Sequence, residues 1–168
     1  WFPDNSNYDL ALMKFVFNAS AELAHELNLV DDEARWNKIK GEFNDFSLSK
    51  NNVLKFAPSM EFNQSHRHFS NAMAIHPLGL IKWEDGERSQ TIIRNTLHAM
   101  DSIGPDWWTG YSYSWLANLK ARVKNGEGAV KALEIFAKAF CSINSFHVNG
   151  DQTQSGLSKY TYRPFTLE

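Results

Sequence analysis

The chain predicts an all-α fold of helical hairpins forming a toroid, with a site at its mouth. Three observations carry that expectation. Apolar residues recur at helical spacing in successive stretches as far as Cys141. The connections alternate between short turns and long polar-aromatic loops, which suits stacked hairpins with their long loops gathered at one end. No sequence returns at a fixed period, which disfavours a regular solenoid.

Taken in order, residues 1–8 (WFPDNSNY) are turn-forming, and Asn7 or Asp9 is placed to cap a helix running to about Asn28. Leu10, Met13, Phe17, Ala21, Ala24 and Leu27 form its stripe, and Leu12, Phe15, Val16 and Leu23 widen it enough to predict burial on more than one side. Asp31 is the expected cap of a second helix to about Asp45, with Ala34, Ile39 and Phe43 on its apolar face and Trp36 nearby. The two make an antiparallel hairpin. Residues 46–68 are a long connection, and connections of that length in compact domains are usually functional or disordered. Met60, Phe56 and Phe62 favour order.

A short helix over 69–76 is expected to stop at Pro77, which disfavours helix at the residue before it. Lys82–Arg88 reads as a polar turn, and 89–102 as a helix carrying Ile92, Ile93, Leu97 and Met100 until Gly104-Pro105 ends it. The aromatic run DWWTGYSYSW, Asp106–Trp115, is expected to precede a helix reaching about Lys124 with Leu116, Leu119 and Val123 as its core face. Asn125-Gly126 is a turn, and a last helix spans 128–141 with Val130, Leu133, Ile135, Phe136 and Phe140. The remainder, from Ser142, has no helical period and is expected to hold a short strand near Thr166.

Composition narrows the function classes. At 168 residues the chain has the size of one domain, and its net charge of −2 gives no electrostatic support to a nucleic-acid or anionic-membrane partner. A single cysteine, Cys141, excludes an internal disulfide. There is no membrane-length apolar run and no basic-then-apolar leader at the start. The chain opens on Trp1 rather than methionine and stops at Glu168 just after an apolar run, so it is expected to be a piece of a longer polypeptide. A partial helical toroid is also expected to leave apolar faces broader than monomers usually expose, and so to fold poorly in isolation.

The chemistry-bearing residues fall in three separate loops. His66-Arg67-His68 packs three basic side chains before an apolar run, and the two-residue spacing can aim both imidazoles at one place, with the planar fork of Arg67 between them suited to an oxygen-rich ligand. A surface turn with chance basic residues is the plain alternative. The second loop holds the Trp107–Tyr113 aromatics, including Trp108 and Tyr111, and the third holds Arg163 and Glu168. Trp and Tyr can pack on apolar patches of sugar rings, Arg and His can donate to sugar hydroxyls, and glycosidic hydrolysis needs carboxylates flanking the bond. Aromatics near helix ends also serve as ordinary core. A metal is the rival reading for His66 and His68, with His25, His76, His98 or His147 as a third ligand, but Arg67 would set a fixed cation beside the ion and no carboxylate stands at ligand spacing. No metal is therefore expected. No G-x-S-x-G turn and no Gly-rich phosphate loop occurs.

HRHFSNAMAIHPLGLI, then TGYSYSWLANLKARVKNGEGAVKAL, then RPFTLE, together resemble the glycoside hydrolase family 95 catalytic domain, which includes α-L-fucosidases and some α-L-galactosidases. That family tends to read H-R-H-L-S-H-L, then T-G-W-S with W-x-x-N-L-x-A-R-x-x-D-G-E, then P-F-Q-I-D-G-N. The resemblance implies an (α/α)6 barrel, of which residues 1–168 would be the C-terminal half, and inverting hydrolysis of a terminal α-L-fucosyl or α-L-galactosyl residue from a glycan without a cofactor. It implies that Arg67 and His68 contact the sugar, that Tyr111 lines the pocket, and that Glu168 polarises the attacking water with asparagines from earlier in the domain. The general-acid Glu would also come from that earlier part, and the compartment would be periplasmic or extracellular. Three departures lie around the site: Glu168 replaces the family's Asp, Tyr162-Arg163-Pro164-Phe165 replaces H-P-P-F, and Asn71 stands where the family often has His. The candidate set is thus Glu168 as catalytic residue and Arg67, His68, His66, Tyr111 and Trp108 as substrate-binding residues. A non-catalytic carbohydrate-binding protein on the same scaffold would bind without turnover, and a helical interaction scaffold would leave these loops apart.

Overall fold

The computed structural model describes residues 5–159. Among them lie five α-helices: α1 (Asn7–Glu26), α2 (Val30–Gly41), α3 (Glu87–Ile103), α4 (Gly110–Arg122) and α5 (Gly126–Phe140). Extended pairing among these residues is confined to isolated bridges, so the all-α class stands. The expected strand near Thr166 lies outside the described residues. The chain forms two compact units. Among the described residues the first runs to Phe62 and adds Ser70–Ile81, and the second takes Asn63–Phe69 and the chain from Lys82 to Lys159.

In the first unit α1 begins at Ser6 rather than at an Asn7 or Asp9 cap. The Ser6 hydroxyl accepts the Asp9 N–H at 3.1 Å and donates to the Asp9 carboxylate at 2.6 Å. Asn7 is instead buried at 1% exposure, where its side chain donates to the carbonyls of Ser47 and Lys55 and accepts from the Ser47 N–H. That pins the connection to the helix. Leu10, Ala11, Ala21 and Ala24 are buried, whereas Met13, Phe15, Val16, Leu23 and Leu27 are exposed. The predicted burial on more than one side is therefore not found, because within this unit only α2, the connection and the turn after Phe69 are available to cover α1.

The second helix starts one residue before Asp31 and ends at Gly41, four residues short of expectation. Its N-cap is Leu29, with no side-chain hydrogen bond, and Asp31, Asp32 and Glu33 act on the first-turn dipole rather than as caps. No α2 residue is buried, and its apolar contact is an aromatic seam in which Phe17 lies 5.7 Å from Trp36 and 5.5 Å from Phe43. The long connection is ordered around two small bridges, Leu48 with Leu54 and Ala57 with Met60, which bury Leu54 and Ala57 completely.

The helix expected over 69–76 is only a 3-10 turn at Ser70–Ala72. Its bonds run from Met73 N–H to Ser70 O and from Ile75 N–H to Ala72 O, and the chain then doubles back so that Leu80 and Ile81 both donate to Ala74 O. Pro77 has no N–H with which to continue an α-helical ladder. Asn71 is buried against the connection and donates to Leu54 O at 2.9 Å.

In the second unit α3 buries Ile92, Ile93, Thr96, Leu97 and Met100 and ends at Gly104, whose φ of 84° a side chain would resist. The fourth helix begins at Gly110, five residues before the expected end of the aromatic loop, so TGYSYSW is largely helical. It packs on α5 and buries Tyr113, Trp115, Leu116 and Leu119. On α5 only Ala132, Ala139 and Phe140 are buried, while Val130 and Leu133 are exposed.

Candidate functional site

The site is built in the second unit, where the Ser65–Phe69 segment meets the start of α4. Phe69 is the anchor. It has no exposed surface, and its ring lies 5.1 Å from Trp108 and 5.7 Å from Trp115. Trp108 packs in turn on Tyr113 at 5.4 Å. A single hydroxyl ties this core to the basic triplet: Ser112 Oγ donates to Arg67 O at 2.6 Å and accepts the Thr109 N–H at 3.1 Å. The backbone of Arg67 is thereby held on the first turn of α4.

The triplet organises itself next. The His68 backbone N–H lies 3.1 Å from His66 Nδ1. The same Nδ1 lies 3.1 Å from His68 O, so the His66 ring is tied to the His68 backbone through either tautomer. Arg67 Nε–H donates to His68 Nε2 at 3.1 Å, which fixes the His68 proton on Nδ1. The two imidazole centroids are 5.5 Å apart, and Tyr111, 43% exposed, lies 6.0 Å from His68 with its edge on Trp115. His66, Arg67 and His68 are half-buried. The outcome is a compact array of N–H donors beside an aromatic ring. Such an array suits an oxygen-rich ligand, and the His68 Nε2 lone pair committed to the Arg67 N–H, with the guanidinium charge beside it, makes a poor cation site. Among the described residues no group of three His, Cys, Asp or Glu side chains is arranged to hold a metal.

The structure thus brings together His66, Arg67, His68 and Tyr111. Trp108 is beside them in sequence but only 5% exposed, its ring turned into the core. Arg163 and Glu168 lie outside the described residues. Sequence reasoning missed Ser112, since the capping pattern calls for Glu or Gln three residues after Thr109 and a serine fills that role here. Trp107, one of the aromatics the sequence places in that loop, keeps a half-exposed indole that periodicity does not encode.

A second buried polar centre lies behind α4. The carboxylate of Asp151, 1% exposed, accepts five hydrogen bonds: the N–H and hydroxyl of Thr153 on one oxygen, and the N–H and hydroxyl of Ser155 and the N–H of Leu157 on the other. Burial alone would push its pKa up, but these donors outweigh it and hold the group below the ordinary carboxylate value. Burial, and secondarily the Asp151 charge, push the Tyr113 phenol up to about 12. These five acceptances make Asp151 the organiser of the 151–157 loop.

The family model of the glycosyl hydrolase family 95 catalytic domain matches residues 3–167. No curated protein matches the chain.

Proposed function

We propose, for a chain that belongs to the glycosyl hydrolase family 95 catalytic domain, that it supplies the sugar-recognition surface of an inverting exo-glycosidase acting on terminal α-L-fucosyl or α-L-galactosyl residues. The family is one of glycoside hydrolases with an (α/α)6 catalytic domain, and the all-α fold is consistent with part of such a barrel. A glycan substrate follows from that membership. The finer assignment rests on one observation, the Arg67–His68 pair held beside Tyr111. Its fixed N–H donors match sugar hydroxyls, and the half-exposed phenol ring matches an apolar sugar face.

In this reading residues 1–168 are the C-terminal half of the catalytic domain, and the protein works in the periplasm or outside the cell. A protonated Glu elsewhere in the domain gives its proton to the leaving oxygen as the glycosidic bond breaks. A water on the opposite face attacks the anomeric carbon and passes a proton to the carboxylate of Glu168, so the configuration inverts. Arg67 and His68 hold the sugar while charge develops on its ring.

The test is hydrolysis of α-L-fucosides and α-L-galactosides by the full-length protein, wild type against Glu168→Gln. The expected loss in kcat is about 10²–10⁴-fold, the range for a positioned acid–base group. Full activity in the Gln variant would remove Glu168 from the mechanism. Binding that depends on Arg67 and His68 without turnover in the wild type would favour a non-catalytic lectin-like role.

A further inference from the structure

Two half-exposed rings flank the basic triplet, and the proposed function uses only one of them. Tyr111 stands at the His68 end. Trp107, 44% exposed, stands at the other end, where its backbone N–H points at Ser65 Oγ at 3.4 Å, one residue before His66. Its indole is held by more than its own backbone. Lys159 Nζ lies 5.1 Å from the ring centroid and 2.9 Å from the Asp106 carboxylate, and the Lys159 N–H donates to Asp106 O at 2.8 Å. A cation anchored by its neighbour's carboxylate and backbone fixes the ring's tilt. The Ser65 contact sets the Trp107 backbone one residue from His66, at the opposite end of the triplet from Tyr111.

We propose that Trp107, fixed beside His66 by Ser65 and by the Asp106–Lys159 pair, is a stacking platform for the sugar next to the terminal residue, and so selects for the leaving-group side of the glycan. This rests on the proposed function, because it takes the terminal sugar to lie over Arg67, His68 and Tyr111. An indole offers a broad apolar face of low conformational entropy, with an N–H that can reach a hydroxyl at the ring edge. The platform adds affinity to a disaccharide that a free monosaccharide cannot gain.

The experiment measures binding, so it does not depend on turnover. The full-length protein is titrated by calorimetry with L-fucose and with an α-L-fucosyl disaccharide joined through sulfur, which resists hydrolysis. The quantity read is the ratio of the two affinities. It is expected to exceed one in the wild type, to fall about tenfold in Trp107→Ala, and to recover most of that fall in Trp107→Phe, which keeps a ring. A tenfold change corresponds to about 1.4 kcal/mol. An unchanged ratio in the Ala variant, with L-fucose still bound, overturns the platform and leaves the proposed function standing. A wild type that binds neither these sugars nor L-galactose and its matching sulfur-linked disaccharide overturns both.

Discussion

Gly110 is the first residue of α4, and the same substitution there and at Gly126, the first residue of α5, is expected to change stability in opposite directions. A Cβ built on Gly110 would lie 2.5 Å from His147 Nε2, 2.7 Å from His147 Cδ2 and 2.6 Å from Phe140 Cβ. Carbon contacts settle near 3.5–4.0 Å, so about 1 Å of separation has to be made. Neither neighbour yields it cheaply. Phe140 Cβ is bonded to the last backbone residue of α5 and is fully buried, and the His147 ring is stacked 5.6 Å from Phe136 within the Cys141–His147 bridge. Overpacking of this kind costs about 1–3 kcal/mol, more than the few tenths to 1 kcal/mol that Gly→Ala returns by restricting the unfolded chain. At Gly126 nothing lies within 4 Å of the added methyl and φ is not positive, so only the favourable effect remains.

The assay is the urea midpoint of the full-length protein carrying Gly110→Ala or Gly126→Ala. The first is expected to be destabilised by about 1–2 kcal/mol and the second stabilised by about 0.4–1 kcal/mol. A Gly110→Ala protein as stable as the wild type, or two variants shifting the same way, would refute the close approach of α4 to the end of α5. The first variant should also raise KM, since Ser112 on the same helical turn holds the backbone of Arg67.

Two further expectations concern the buried centre behind α4. Asp151→Asn turns an acceptor of five bonds into a group that faces donors with its own N–H2, and should cost about 1–3 kcal/mol in denaturant unfolding at neutral pH. Because the folded pKa lies below the unfolded one, the wild type should lose this contribution as pH falls below about 4, and the Asn variant should show a shallower acid limb. Tyr113 behaves in the opposite sense. Its phenol ionises at 10 when unfolded and at about 12 when folded, so stability should drop between those values by up to about 2–3 kcal/mol, and Tyr113→Phe should flatten a comparison of urea midpoints at pH 9 and pH 11.

Helix positions were legible where an apolar stripe met punctuation, as on α3, whose predicted core residues Ile92, Ile93, Leu97 and Met100 are all buried before Gly104 stops it. Periodicity failed where a side chain or a proline decided the backbone. Thr109 and Ser112 start α4 inside a run whose tyrosines, serines and glycine read as loop, and Pro77 reduces 69–76 to a single turn. Period alone also cannot say which apolar residues find a partner. On α1 the stripe positions Leu10, Ala21 and Ala24 are buried, while Met13 and Leu27 of the same stripe stay exposed. Of the site, the donor triplet and Tyr111 were legible as motifs. Their convergence was not, because it depends on a tertiary bond from Ser112 to Arg67 O across 45 residues.

Trp107 and Trp108 show why motif and geometry both enter the assignment. Adjacent residues with the same side chain are 44% and 5% exposed. Trp108 is spent on stability, packed between Phe69 and Tyr113, and through Phe69 it fixes the end of the segment that carries His66, Arg67 and His68. Recognition of a neutral sugar depends on donors being in place before the ligand arrives, since each hydrogen bond it makes replaces one to water and the net gain is only about 1 kcal/mol. A triplet on a mobile loop would forfeit that margin to ordering entropy. Under the proposed function the aromatic core beneath the triplet is part of the recognition device. Its loss should be felt as weaker sugar binding before it is felt as unfolding.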